Sequence, residues 1–248
     1  MAPAMFADVT DYVLQVGTTS YCPALSVLAG CNVGGLAAAG ASSSLDLNQP
    51  SGTGLGTVTL TYNPGPGTYN VDFWLYEALS QPFFNEYGST GGSPVAGQSW
   101  QIDVPDYEYG GELGTAGAGT IIANTQANTL ANTNYVPGKT DNYLLNCPYG
   151  LSTCNDVTSM AMGFGFTLAA GQEEVVSFTV STTQPSGFYL EQIHPVDAGG
   201  NPEVDYFFTG SATTQPITTV IPEPGSWILL ATTLALLLFS LRRRSATT

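Results

Sequence analysis

The C-terminal part of the chain constrains this protein more than any other stretch. It begins with a Pro-Glu-Pro triplet, continues with an uncharged apolar run over residues 227–241, and ends in three consecutive arginines. A helix over that run would be about 22 Å long at a rise of about 1.5 Å per residue. Because a hydrocarbon core is about 30 Å thick, the run predicts a short membrane span. The arginines should stay in the cytoplasm, which places the preceding residues on the outer side.

The order of these three parts resembles the PEP-CTERM sorting signal of bacterial exported proteins. The resemblance covers residues 222–248, and its motif residues are Pro222, Glu223, Pro224, Arg242, Arg243 and Arg244. It implies that the tail is read by exosortase, a membrane enzyme that cuts near the motif and passes the protein towards the cell surface. The alternative is an ordinary C-terminal membrane anchor whose Pro-Glu-Pro triplet is accidental.

The chain before this tail is strongly acidic. All 19 acidic residues precede Gly225 and only one basic residue, Lys139, does so, which gives this part a formal charge of −18. Such a surface repels phosphate backbones and offers no basic patch, so the composition excludes nucleic acid as a partner. The same charge favours the solubility of a secreted protein, at a cost in self-repulsion that salt or bound cations would relieve.

Four cysteines fall into two local pairs. An outward-facing domain lies in an oxidising compartment, where disulfides persist. Four cysteines allow three connectivities, and proximity in the sequence favours Cys22 with Cys31 and Cys147 with Cys154. Each bridge would close a loop of about ten residues and contribute about 2–3 kcal/mol. A metal site is the alternative, but the spacings are too wide for paired zinc ligands, and His194 is the only histidine.

The first seven residues predict a processing site. An exported protein needs a signal peptide, and residues 1–12 contain neither a basic segment nor a long apolar one. Residues 4–7, Ala-Met-Phe-Ala, nevertheless resemble the end of such a peptide, with Ala7 at the cleavage position. We therefore expect residues 1–7 to be the end of a signal peptide within a longer precursor, and the mature protein to begin near Asp8.

Alternating apolar residues predict β-strands through much of the region 8–215. The clearest patterns cover residues 57–62, 69–77, 98–104, 162–168 and 175–181, and Gly- and Pro-rich turns separate them. The first two flank an Asn-Pro-Gly-Pro-Gly sequence and predict a β-hairpin. Residues 120–124 predict a short strand, and the Asn/Thr-rich run that follows predicts a polar loop.

These patterns predict an all-β fold, an antiparallel β-sandwich of the jelly-roll-like kind, as one extracellular domain over residues 8–215. The last third of this domain also resembles the β-sandwich domain often found before PEP-CTERM tails. Residues 216–224 predict an extended Pro/Thr linker that includes the motif. Residues 225–248 predict one short transmembrane helix with the arginine cluster.

The candidates for chemistry are few. A Ser-His-Asp triad would need His194, which is followed by proline and is typical of a surface residue. Asp103, Asp106 and Glu108 follow a predicted strand and alternate with tyrosines. They could bind Ca²⁺ through carboxylate oxygens or act as paired acids in glycoside hydrolysis, or they could form a solvated acidic loop. We predict no catalytic residues and, apart from this Ca²⁺ candidate, no cofactor.

Trp74 and Tyr76 are the candidate sugar-binding residues. If Phe73 and Leu75 face the core, both side chains lie on the opposite face of the strand, where an exposed aromatic strip could stack on sugar rings. A loop or the segment 17–56 could instead cover that face.

We expect a non-enzymatic protein that is exported, anchored at first by its C-terminus and then sorted to the cell surface or extracellular matrix. The resemblance implies exosortase and the membrane as partners and an association with exopolysaccharide or biofilm. The alternatives are a carbohydrate-binding module and a secreted glycoside hydrolase, which would need a cleft with two carboxylates about 5–10 Å apart.

Overall fold

Strands dominate the computed structural model, which describes residues 7–23, 30–47, 52–79, 86–103, 121–137, 158–194 and 204–217. The chain divides into two compact units, Met1–Gln215 and Pro216–Thr248, and the architecture below is that of the first. Its strands are β1 (Ala7–Val16), β2 (Thr19–Tyr21), β3 (Cys31–Asn32), β4 (Ser42–Ser43), β5 (Gly56–Tyr62), β6 (Gly67–Leu79), β7 (Tyr87–Gly91), β8 (Gln98–Asp103), β9 (Thr133–Asn134), β10 (Ser159–Leu168), β11 (Gln172–Ser181), β12 (Tyr189–His194) and β13 (Val204–Pro216). Two short helices are described, α1 (Gly35–Ala38) and α2 (Ile121–Gln126).

The strands form two sheets. The seven-stranded sheet has the order β3-β2-β1-β6-β10-β8-β9, and the six-stranded sheet has the order β4-β5-β11-β13-β12-β7. The long central pairs, such as β1 with β6 and β6 with β10, are antiparallel. The short strands β3 and β9 instead pair in parallel with β2 and β8.

Aromatic side chains from both sheets meet in the core between them. The ring centroids of Phe73 and Phe178 are 5.4 Å apart, and those of Phe178 and Phe208 are 6.0 Å apart. Phe73 lies on β6 in the seven-stranded sheet, whereas the other two lie on strands of the six-stranded sheet. Along β11 every second residue from Glu174 to Val180 is buried, as the sequence alternation predicts. The all-β sandwich is therefore confirmed.

The predicted hairpin between residues 57–62 and 69–77 is wrong. β5 pairs with β4 and β11 in one sheet, whereas β6 pairs with β1 and β10 in the other. Alternation determines which side chains face the core, but both sheets of a sandwich face the same core. A few extended residues are enough to cross the roughly 10 Å between packed sheets, so residues 63–66 connect the sheets and do not fold β5 back on β6.

The prediction of a strand at residues 120–124 is also wrong. Residues 121–126 form α2, and Ile121, Ile122 and Thr125 are its buried side chains. Their spacing of one and four residues places them on one side of a helix. Asn128 and Asn132 follow with positive φ values of 55° and 53°, a conformation that asparagine tolerates better than most residues and that turns the chain.

Among the residues that the structure describes, no helix is both long and apolar enough to cross a membrane. The predicted tail helix over 225–248 lies outside those residues, as do the arginine cluster and the Pro-Glu-Pro motif.

Candidate functional site

The outer face of the seven-stranded sheet carries a second apolar cluster, away from the core between the sheets. We call it the outer cluster, and its members are Val13, Cys22, Trp74, Tyr76, Ile121, Ile122, Leu130 and Ala161. Trp74 is 0% exposed and Tyr76 is 2% exposed, because α2 and the segment around Cys22 pack over them. The expectation that these two residues form an exposed sugar-binding strip is therefore wrong.

A disulfide joins Cys22 to Cys31 beside this cluster, as predicted. Cys22 is fully buried, and Cys31 packs against the cluster from its edge. The bond closes a sequence separation of 9 residues. Loops of that size are stabilised by about 2–3 kcal/mol through the reduced entropy of the unfolded chain. The second predicted pair, Cys147 with Cys154, lies outside the described residues.

Asp72 is a buried acid on the same face as Trp74. It lies on β6 between Gln15 of β1 and Gly163 of β10 and is 2% exposed. A Cβ atom at Gly163 would collide with the Asp72 carboxylate, so the missing side chain makes room for the acid. Its Oδ2 atom has no hydrogen-bond partner. Burial without a compensating charge raises the pKa of Asp72 to about 7, because desolvation penalises the ionised form.

Sequence reasoning missed this acid. Alternation along β6 places Asp72 on the strand face opposite Phe73, but it does not show that this face is shielded from solvent. The sequence near Asp72 carries no signal of this, because Trp74 on the same strand face is covered by α2, which comes from residues 121–126.

The structure describes one residue of the predicted Ca²⁺ site, Asp103. Its side chain is 4% exposed, and Oδ2 accepts a hydrogen bond of 3.2 Å from the Gln101 side chain. Asp106 and Glu108 lie outside the described residues. Within the described ranges no group of three or more His, Cys, Asp or Glu side chains could hold a metal ion. His194 is the last residue of β12, and its backbone pairs with Val204 of β13.

A second buried acid, Glu86, links the two sheets. Its Oε2 atom accepts a hydrogen bond of 2.7 Å from the Gln192 side chain on β12 and one of 3.1 Å from the backbone N–H of Thr158. Gln192 belongs to the six-stranded sheet, and Thr158 immediately precedes β10 of the seven-stranded sheet. The two donors hold the carboxylate in place, so its evident role is to join the sheets.

An open cavity of about 410 Å³ lies at one end of the sandwich. We call it the tyrosine cavity, and its lining residues are Val16, Gly17, Thr18, Thr19, Tyr62, Thr68, Tyr69, Asn70 and Asn128. They come from the β1–β2 turn, the end of β5, the start of β6 and the turn after α2. Four separate segments therefore build it, which is why no single sequence motif reveals it.

Two tyrosine rings form the aromatic wall of this cavity. The centroids of Tyr62 and Tyr69 are 5.4 Å apart and their planes meet at 83°, in an edge-to-face arrangement. Phe166 packs against both at 6.3 Å. Burial raises the pKa of the Tyr62 hydroxyl, and the neighbouring Tyr69 and Tyr21 add to the effect. The hydroxyl is therefore protonated, and able to donate a hydrogen bond, throughout the neutral pH range.

Asn128 forms the polar side of the tyrosine cavity. Its Nδ2 atom donates a hydrogen bond of 2.8 Å to the carbonyl oxygen of Gly17, which fixes the orientation of the amide. The Oδ1 atom of the same amide is buried and has no hydrogen-bond partner. A buried acceptor without a donor is costly, and this atom has almost no surface that a ligand in the cavity could reach.

No family model, curated protein or solved structure matches this chain. Its function must therefore be inferred from its own residues.

Proposed function

We propose that this chain is a non-enzymatic exported protein that is sorted to the cell surface or extracellular matrix. The observation that carries the proposal is the order of parts in the tail: a Pro-Glu-Pro triplet, a short uncharged apolar run and three arginines. This tail resembles the PEP-CTERM signal. The resemblance implies that exosortase processes the protein and that the protein is associated with exopolysaccharide.

The Cys22–Cys31 disulfide supports export, because disulfides form and persist in oxidising compartments outside the cytoplasm. The strongly acidic composition before the tail fits a soluble secreted domain. In this proposal the sandwich is jelly-roll-like, residues 216–224 are a linker, and residues 225–248 form the membrane helix that holds the protein until it is processed.

The surroundings of two buried acids, Asp103 and Glu86, support a binding or structural role over hydrolysis. A glycoside hydrolase needs two carboxylates that face a substrate from either side of a cleft. Asp103 is instead almost fully buried and accepts a hydrogen bond from Gln101, and Glu86 is held between the sheets by two donors.

If the tail is a sorting signal, its Pro-Glu-Pro motif should determine whether the protein stays in the membrane or is released to the cell surface. Replacing Pro222, Glu223 and Pro224 together by alanine should leave most of the protein in the membrane fraction, because exosortase would no longer process it. The measurement is quantitative immunoblotting of cytosolic, membrane and surface-released fractions from a bacterium that has an exosortase.

The matched control is Glu173→Ala, which removes a surface carboxylate that accepts a hydrogen bond from Gln215. This variant should be released like the unaltered chain. Equal release of the triple variant and the control would contradict the sorting role of the motif.

A further inference from the structure

We propose that the tyrosine cavity binds a neutral carbohydrate. The inference deepens the proposed function by naming a ligand class, and it rests on that function only for its setting, since an exported protein meets polysaccharide outside the cell. Three properties of the cavity support it: the aromatic wall, the polar groups and the lack of charge.

The aromatic wall suits the C–H face of a sugar ring. Tyr62 and Tyr69 are partly exposed and stand nearly perpendicular to each other, so the pair presents one ring face and one ring edge. Aromatic rings contribute large apolar contact areas together with a polar hydroxyl, which suits ligands that are apolar on one side and polar on the other. Phe166 packs against both rings and restrains them, so the entropic cost of ordering these side chains on binding is small.

The polar groups suit hydroxyls. Asn128 also lines the cavity, and its amide fixes the turn that stands beside the aromatic wall. No hydrogen bond to the Tyr62 hydroxyl is found among the described residues, so this group is free to donate to a sugar oxygen. Asn70 and Thr68 are exposed on the same wall and add an amide and a hydroxyl that can both donate and accept. Vicinal sugar hydroxyls also do both, which makes this mixture of groups complementary to them.

The absence of charge selects a neutral ligand. None of the described residues that line the cavity carries a charged side chain. The chain before the tail has 19 acidic residues and one lysine, so its field repels uronates, phosphates and sulfates, and the lining offers them no basic partner. A metal cation would find no carboxylate ligand among these described lining residues. The volume of about 410 Å³ falls within the range of about 300–1,000 Å³ for small-molecule sites.

The cavity is also held open by the fold. The Asn128 amide ties the turn after α2 to Gly17, and the backbone N–H of Gly17 donates to the carbonyl of Asn70 at 2.9 Å. Three of the four segments that form the cavity are thus connected by hydrogen bonds. Such preorganisation lowers the entropic cost of binding a flexible oligosaccharide.

The test is isothermal titration of the purified full chain with neutral oligosaccharides (maltotetraose, cellotetraose and mannotetraose) and with the anionic trigalacturonate. At least one neutral probe should bind and the anionic probe should not. Tyr69→Ala and Asn128→Gly should each weaken the binding by about tenfold or more, as truncation of a central contact does. Glycine suits position 128 because its φ is positive.

Two further variants keep the result interpretable. Tyr189→Ala removes a partly buried tyrosine that packs edge to face on Phe207 outside the cavity, and it should change the affinity by no more than about twofold. Asn70→Ala alters an exposed side chain and so preserves the fold, and it should also weaken binding.

The proposal is overturned if no neutral probe binds, if only trigalacturonate binds, or if Asn70→Ala and Asn128→Gly bind as tightly as the unaltered chain. Such a result would refute carbohydrate binding at this cavity. It would not bear on export, which is measured separately on cell fractions.

Discussion

Trp74→Ala should lower the free energy of unfolding by about 3–5 kcal/mol, the usual loss when a fully buried tryptophan is truncated. The side chain is 0% exposed between the seven-stranded sheet and α2, and it shares the outer cluster with Ile121 and Cys22. Its removal leaves a cavity beneath α2. The measurement is urea or guanidinium unfolding followed by circular dichroism.

Trp100→Ala is the matched control for this change. Trp100 is partly exposed and packs on Phe188 with ring centroids 5.8 Å apart, so the same truncation removes less buried area. We expect its loss of stability to be clearly smaller. Equal losses, or a larger one for Trp100→Ala, would mean that α2 does not cover Trp74 as described.

Asp72→Asn should change the dependence of stability on pH more than the same substitution at an exposed acid. An aspartate side chain ordinarily has a pKa of 3.8, and burial raises the pKa of Asp72 in the folded protein to about 7. The folded state therefore holds a proton that the unfolded state releases between these values. The unaltered chain loses stability as the pH rises from about 4 to about 7, and the loss then levels off at about 4 kcal/mol.

Asparagine carries no proton to release, so Asp72→Asn should lack this loss. Its amide places a new donor in a buried site, which adds a constant difference from the unaltered chain. The test is therefore whether the difference in free energy of unfolding between the two proteins grows as the pH rises. The measurement is the free energy of unfolding of both proteins at intervals from pH 4 to pH 8, and the variant should gain steadily on the unaltered chain.

Glu173→Gln serves as the control, because it neutralises a carboxylate at the surface, where solvent screens charges. We expect its difference from the unaltered chain to be smaller than that of Asp72→Asn over the same range. A difference for Asp72→Asn that stays constant, or that shrinks as the pH rises, would show that Asp72 is ionised without cost in the folded protein.

Several strands could be predicted from the sequence because alternation is a local property. The run from Val175 to Ser181 reads as a half-buried strand by itself, and β11 buries every second residue there. Pairing is not local. The sequence between β5 and β6 is rich in turn residues, yet whether the chain returns to the same sheet or crosses to the other depends on which strands arrive later.

The outer face of the seven-stranded sheet could not be predicted for the same reason. Trp74 and Asp72 point away from the main core, and the sequence around them does not show that α2 will cover them from residues 121–126. The helix itself was missed because its Ile-Ile start favours a strand by propensity, whereas burial of one helical side decides the outcome.

The sequence also concealed the tyrosine cavity. Alternation places Tyr62 and Tyr69 on the core-facing side of their strands. Tyr62 packs against the core with Tyr69 beside it, but the cavity exists only where the β1–β2 turn and Asn128 come next to them. The disulfide was easier to predict, because Cys22 and Cys31 are close in the sequence and their alternative partners lie more than a hundred residues away.

We infer that this sandwich works outside the cytoplasm after its tail is processed. The most direct measurement is the intact mass of the protein recovered from the cell-surface and extracellular fraction, with thiols alkylated before and after reduction. We expect a chain that ends near Pro224, with Cys22 and Cys31 alkylated only after reduction. A chain that ends at Thr248, recovered from the cytosol with both thiols free to react, would contradict the claim.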